Sequence, residues 1–489
     1  MKKKVLAKIC SVLLMGSMVL SMAACGNEGN TGSSGNGENE SNSAVGNEEG
    51  NGSEAGGSDE SGGAQEHELP EAKDLGGRTI RIALWWDEYF DSRFQTLEEI
   101  VAAGGSYDKE DQAQMRLDKV REIEERWNCR IEYVNAGWEG ETNSISTSVV
   151  NGTPDYDVYL TDLQFSISPV ANGYAYSLSE IAPADSDVLN DQTILSTFPC
   201  MGYEDYFFYG TYPIPSGATY LAYNASMLDD MGLEYPEALA ERGEWTWEKF
   251  AEYCLLLTKD TDADGNTDVY GYGGTNRAII NALMASNNTA VAASATEGLS
   301  DPKTVEVFNF LERLYNTDGS ARPFTNDWNN DIEALWEGKV AFTFTWFYLL
   351  PGRDVDFDVR ICPYPVGPSG DGTKTATQAG NLYIIPVGVE DPTSVYMVME
   401  ELSNWYNWDT SLRDDADWFE SGFVDEEQLA LAYREGSKEN AADFWHIIWG
   451  MPVGSVWDAV ITNKEMSVSQ AIETYKQQAQ DALDALLGN

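Results

Sequence analysis

The chain has 489 residues, with 30 Lys and Arg against 81 Asp and Glu, a formal net charge of −51 at pH 7. A surface this negative repels phosphate backbones, which excludes nucleic acid as a partner. Only two His occur, His67 and His446, so His-based triads and His-rich zinc sites lack raw material. Aromatic residues make up 12% of the chain; that much ring surface can be buried, and the length suggests two or more domains.

The first 25 residues, MKKKVLAKICSVLLMGSMVLSMAAC, hold four Lys and no acid, then an apolar run and small residues. This is the layout of a secretory signal over residues 1–24, too short and wrongly flanked for a good membrane span. Its end, LSMAAC, resembles the lipobox of bacterial lipoproteins. That implies cleavage before Cys25 and acylation of its sulfur by palmitate-type chains, tethering the protein to the outer face of the cell membrane. Residues 25–68 are mostly Gly, Ser, Asn and Glu, with ten acids and no Lys, Arg or aromatic residue. They read as a disordered acidic linker spanning roughly 35–40 Å r.m.s.. The remainder, 69–489, keeps 71 acids and 26 bases, a net −45. It contains no apolar stretch long enough to span a membrane.

In the body, RTIRIALWW (78–86) alternates, with Ile80, Ile82 and Leu84 on one face of a first strand. Ala113, Leu117, Val120, Ile123 and Trp127 recur at helical spacing over 108–127. Strands follow at 129–134 and 156–160, and this β-α-β alternation predicts an α/β layer with a mostly parallel sheet. Segments 301–316 and 391–406 each open with Asp-Pro, an N-cap followed by Pro at the first helical position. Strand patterns recur at 340–345, 356–361 and 382–385. Val468, Ile472, Tyr475, Ala479, Leu483 and Leu486 form the stripe of a final helix. Cys129, Cys200, Cys254 and Cys362 allow three disulfide pairings, or serve as four buried small hydrophobes.

The sharpest motif is DTDADGNTDVYG (260–271). Asp260, Asp262 and Asp264 occupy positions 1, 3 and 5 of a calcium loop, Gly265 the sharp turn, Asn266 the carbonyl position and Asp268 position 9. Oxygen ligands in this order predict a structural Ca²⁺. Position 12 is Gly271 where an EF-hand carries Glu, so this is no sensor loop; the alternative is a polar turn.

Four segments in order resemble family 1 extracellular solute-binding proteins, the carbohydrate-capturing lipoproteins of bacterial ABC importers. They are YDVYLTDLQFSISPVANGYAYSLSEI (156–181), YGTYPIPSGATYLAYNASMLDDMGL (209–233), TWEKFAEYCLLLTKDTDADGNTDVYGYGG (246–274) and ALWEGKVAFTFTWFYLL (334–350). The resemblance implies the α/β two-lobed periplasmic-binding-protein fold of type II, maltose-binding-protein-like, with a cleft that closes on hinges. Lobe 1 would run over 69–211 and return over 379–406, lobe 2 over 212–378, and 407–489 would be helical and mainly in lobe 2. Crossovers are expected near Gly210–Pro213, near Gln378–Gly380 and after the helix ending near Tyr406.

The same resemblance implies a ligand site. Trp85, Trp86 and Asp87 end the first strand, where one Trp packs and the other meets ligand. Asp162 and Gln164 take the polar-loop position, although capping a helix would suit Asp162 as well. Ser216 and Gly217 follow the first crossover. Trp346 and Tyr348 stand where the family presents a stacking aromatic, with core packing expected to claim one of them. Gln378 and Asn381 flank the second crossover, and Trp445 and Trp449 share a face if 442–449 is helical. The implied function is capture of a carbohydrate, a neutral oligosaccharide, by a monomer that delivers it to a membrane ABC permease, with no catalysis. Alternatives are a secreted glycoside hydrolase and a binding protein for cationic solutes such as polyamines. The net charge disfavours acidic sugars, though Arg93 or Arg277 could pair with one.

Overall fold

The computed structural model describes residues 69–211, 214–215, 217–325, 327–376, 380–413 and 417–488. The expected signal, Cys25 and the linker lie outside them, as do Ser216 and Gln378. Among the described residues no helix is long and apolar enough to cross a membrane.

Residues 72–489 belong to one compact unit built on two main sheets. Among the described residues twelve strands occur in chain order: β1 Arg78–Leu84, β2 Cys129–Asn135, β3 Val158–Asp162, β4 Leu195–Thr197, β5 Phe208–Gly210, β6 Thr219–Asn224, β7 Tyr270–Tyr272, β8 Val340–Trp346, β9 Val359–Cys362, β10 Lys374–Ala376, β11 Asn381–Ile384 and β12 Glu439–Ala441. The helices that matter here are α1 Glu110–Trp127, α2 Gly137–Ser144, α3 Leu163–Ala171, α4 Trp247–Leu257, α5 Asn276–Ser286, α6 Pro302–Glu312, α7 Trp328–Ile332, α8 Pro392–Ser403, α9 Glu426–Gly436 and α10 Val468–Leu487.

The first sheet has the order β2-β1-β3-β11-β5-β4. It is parallel only across β2-β1-β3; β11 pairs antiparallel with both β3 and β5, and β4 antiparallel with β5. The expected mostly parallel sheet is therefore a mixed one. The βαβ pattern governs its first three strands, whereas β11 enters only after the chain has built the second sheet. That sheet has the order β7-β8-β6-β9, with one parallel pair and two antiparallel ones. The chain leaves the first sheet after Gly210, enters the second at Thr219, and is back in the first at Asn381. β10 and β12 form a separate parallel pair.

Strand alternation sorts the core. Ile80, Ile82 and Leu84 are buried with Val120, Ile123 and Trp127 of α1 and Val395, Val398 and Met399 of α8. Ala83, Tyr159, Leu382 and Ile384 point to the other face, against Leu163, Ile167 and Val170 of α3. All five apolar positions read as the inner stripe of α1 are buried. Asp301 and Asp391 both cap as expected, accepting from the backbone N–H of Lys303 and Ser394, with Pro at the first helical position. α10 buries Val468, Ala471, Ile472 and Ala479 in the second sheet's core, but Ala482 and Leu483 in the first sheet's. It therefore staples the two. Cys129, Cys200, Cys254 and Cys362 are free and buried, so none of the three pairings forms; burial pushes the Cys129 thiol up to about 12.

Candidate functional site

The loops at the carboxyl ends of β1 and β3, the usual place for a ligand recess in α/β sheets, carry one group of candidate residues. β1 ends at Leu84, and the two Trp that follow diverge. Trp86 is 9% exposed and packs in the core, so it offers nothing to a ligand. Trp85 stays half-buried, and its Nε1 donates to Asn381 Oδ1 at 3.0 Å. Its ring meets Trp138 edge-on at 5.3 Å, and Trp138 meets Phe165 at 4.7 Å. Asp87 is exposed and accepts from Asn135 Nδ2 at 2.9 Å. Asp162 stands opposite Asn381 in the β3–β11 register. It does cap α3, accepting from the Gln164 N–H at 3.1 Å, and it also faces the second lobe.

The opposite wall comes from α5, α7 and the end of β8. Trp328, Trp346 and Tyr348 stack in sequence, with centroids 4.8 and 6.1 Å apart. β8 ends at Trp346 and a 3₁₀ turn follows, which brings Trp346 and Tyr348 side by side. Trp346, in the middle, is 3% exposed and has no free face for a ligand, whereas Trp328 and Tyr348 keep outer faces. Gly217, in the left-handed region at φ +88°, turns the chain into β6 beside this stack. Arg277, in the first turn of α5, lays its guanidinium against Trp328 and Trp346 at 5.5 and 5.6 Å. One turn later, Asn281 Oδ1 accepts from Trp445 Nε1 at 2.6 Å.

Trp445 is half-buried between the two cores. Residues 442–449 are loop and turns, not a helix, because Asp443 accepts from the backbone N–H groups of Val291, Ala292 and Trp445 and pins the segment. Trp449 consequently points away, 94% exposed.

Charge across the recess is set by burial. Asp162 and Arg277 interact electrostatically without reaching ion-pair distance, and burial raises the carboxyl's pKa and lowers the guanidinium's. Both remain partly accessible. His446, beside Arg277, is held neutral with its pKa lowered to about 3, first by burial and then by that positive charge. Glu141 of α2 lies behind Asp162, 0% exposed, and neither oxygen has a hydrogen-bond partner. Burial pushes it up to about 8, so it is protonated at pH 7. Arg93, the other candidate counter-charge, is engaged by Asp91 and the Glu88 carbonyl.

The acidic loop is separate. The carboxylates of Asp260, Asp262 and Asp268 have oxygens within 4.8 Å of one another, all exposed. Asp264 accepts from the N–H and Nδ2 of Asn266 instead, and Gly265 turns at φ +93°. Gly271 has a packing reason: a Cβ there would stand 2.0 Å from the Cys254 carbonyl oxygen. The EF-hand Glu cannot occupy that position while β7 lies against α4.

Sequence reasoning missed Trp138, Phe165, Glu141, Trp328, Asn281 and His446. Trp138 had a readable signal, since it follows the end of β2 as Trp85 follows β1. The others carry none, because their neighbours come from distant segments.

Solved structures share this fold at low identity. An ABC substrate-binding protein from Listeria monocytogenes in complex with cycloalternan matches with a TM-score of 0.56 at 14% identity, covering 84% of this chain and 99% of that one. The maltose/maltodextrin-binding domain from Bdellovibrio bacteriovorus bound to maltotriose gives 0.52 at 14%, covering 84% and 100%. A receptor of Streptomyces glaucescens, solved unliganded and with acarbose, gives 0.53 at 15%, covering 84% and 99%. These likenesses establish the two-lobed type II binding-protein fold. No curated protein matches the sequence. Residues 118–396, more than half of the chain, match the family model of bacterial extracellular solute-binding proteins, and the chain belongs to that family.

Proposed function

We propose that this chain captures an oligosaccharide in the recess between its two sheets and delivers it to the permease of an ABC importer. The observation that carries this reading is the lining: accessible rings from both walls (Trp85, Trp138 and Phe165; Trp328 and Tyr348) interleaved with Asp162, Gln164, Asn381 and Arg277. Flat rings suit the C–H faces of pyranoses, and planar amide, carboxylate and guanidinium groups suit their hydroxyls. The sugars bound by the structural relatives support it. The role is capture and release by hinge closure. A hydrolase would need two carboxylates facing one bond, and Glu141, the nearest acid behind Asp162, is covered by protein. A polyamine would meet the positive charge of Arg277.

The protein acts as a monomer anchored to the outer face of the membrane through acyl chains on Cys25; Cys25→Ser is expected to release it into the medium, and retention on cells would sink the anchor. A Ca²⁺ ion at Asp260, Asp262 and Asp268, with Asp264, Asn266 or water completing its shell, serves to hold the loop. The convergence of three exposed carboxylates supports it. The test of the whole reading is a thermal-shift panel of oligosaccharides, monosaccharides and polyamines on ion-depleted protein, with and without added Ca²⁺. A ligand that binds only the native state raises its melting temperature by mass action. Sugars are expected to do so, and a response to polyamines alone overturns the carbohydrate reading.

A further inference from the structure

We infer that Arg277 determines the specificity of the recess by taking a carboxylate, so that the captured sugar is a uronate-bearing oligosaccharide. This rests on the carbohydrate reading and deepens it. Among the described residues every other arginine forms a hydrogen bond or an ion pair; Arg78, Arg93, Arg126, Arg242, Arg322 and Arg353 each hold an acid. The Arg277 guanidinium alone forms neither. It lies against the stacked rings of Trp328 and Trp346, half-buried there, and among the described residues its N–H groups have no hydrogen-bond or ion-pair partner.

A desolvated cation with no partner is costly unless something supplies one. A hydroxyl would satisfy an N–H but leave the charge uncompensated. A carboxylate satisfies both, because its two oxygens match the planar fork in a bidentate contact. The groups facing Arg277 leave that place open. Asp162 stands beyond ion-pair distance, Tyr348 is a neutral phenol, and His446 is uncharged. Glu141, behind Asp162, is protonated at pH 7. Among the described residues Asp162 is therefore the one ionisable carboxylate that opposes Arg277, and burial raises its pKa. The net charge of −51 argued for a neutral ligand, but charges farther away than about 8 Å are screened at physiological salt. The local groups decide.

The experiment titrates the protein, Arg277→Gln and Arg277→Lys with trisaccharides of galacturonate, glucuronate and mannuronate. Each is paired with its methyl ester and its neutral counterpart, and a sugar phosphate is added as a further arm. At least one uronate is expected to bind, with its ester about a hundredfold weaker. Arg277→Gln should erase that difference by weakening the acid alone, and Arg277→Lys should restore part of it. The unliganded melting temperature checks that both variants fold. Neutral sugars binding as tightly as the acids, an equal loss of acid and ester in Arg277→Gln, or preference for the phosphate each overturns the carboxylate assignment while leaving sugar capture intact. Failure of acidic and neutral sugars alike brings down the carbohydrate reading, and this inference with it.

Discussion

The acidic loop at 260–268 and the acids of the recess put the same side chain to opposite uses. In the loop the carboxylates are exposed and accept from the backbone of their own turn: Asp260 from Gly265, Asp262 from Asp264, Asp268 from Thr261. The Thr261 contacts hold Asp268 below the usual carboxylate range. In the recess, burial pushes Glu141 and Asp162 up, and for Asp162 it outweighs the hydrogen bonds of Gln164 and the charge of Arg277. Sequence separation explains the contrast. The loop's donors lie within seven residues of their acceptors, so the turn satisfies itself in water. The recess draws on α2, β3 and α5, and there Glu141 and Arg277 find no hydrogen-bond or ion-pair partner among the described residues.

That contrast can be broken at three points. The largest effect is expected where the loop meets the fold. In Gly271→Ala the new Cβ would stand 2.0 Å from the Cys254 carbonyl oxygen and 2.2 Å from its Cα; these are backbone atoms, so no side chain can yield. The loss should be about 3 kcal/mol or more in denaturant unfolding, and a shift under about 0.5 kcal/mol would show that α4 and β7 part easily.

Glu141→Gln comes next. Above about pH 4.5 the unfolded chain sheds the proton that the native state keeps to about 8, so this group makes stability fall as pH rises through that window and level off above it. The variant should match the parent near pH 4 and exceed it by ~2–4 kcal/mol at pH 8. Parallel stability curves across pH 4–8 would refute a buried, unpaired carboxyl. The smallest effect belongs to chelation at the acidic loop, where exposed carboxylates in the unloaded loop repel one another only through water. Removing Ca²⁺ should lower the melting temperature modestly, and no change in ion-depleted protein would reduce the motif to a polar turn.

Much of the scaffold was legible. The stripe of α1, the Asp-Pro starts of α6 and α8, and the alternation of β1 are local patterns whose period matches the element that buries them. The mixed sheet was not, since β11 joins β3 across more than two hundred residues of chain. Within the site, Trp85 and Asp162 were readable because a strand's carboxyl end is a general place for ligands. Core packing was expected to claim one of Trp346 and Tyr348, and only Trp328, stacked on Trp346 from another segment, showed which. The shared helix face of Trp445 and Trp449 does not form, for a different reason. Their spacing suits a helix, but Asp443 binds the backbone of residues 291–292 and holds the segment as a loop.

By itself the sequence determined the secondary elements, the acidic character and the order of the calcium-type loop, because each depends on residues close together in the chain. Tertiary structure alone decided which rings remain accessible, why position 271 must be Gly, and which of the body's fifteen arginines has no hydrogen-bond or ion-pair partner among the described residues. Accessibility and desolvation belong to neighbours brought from elsewhere in the chain. A sequence pattern records the side chain but not the company it keeps.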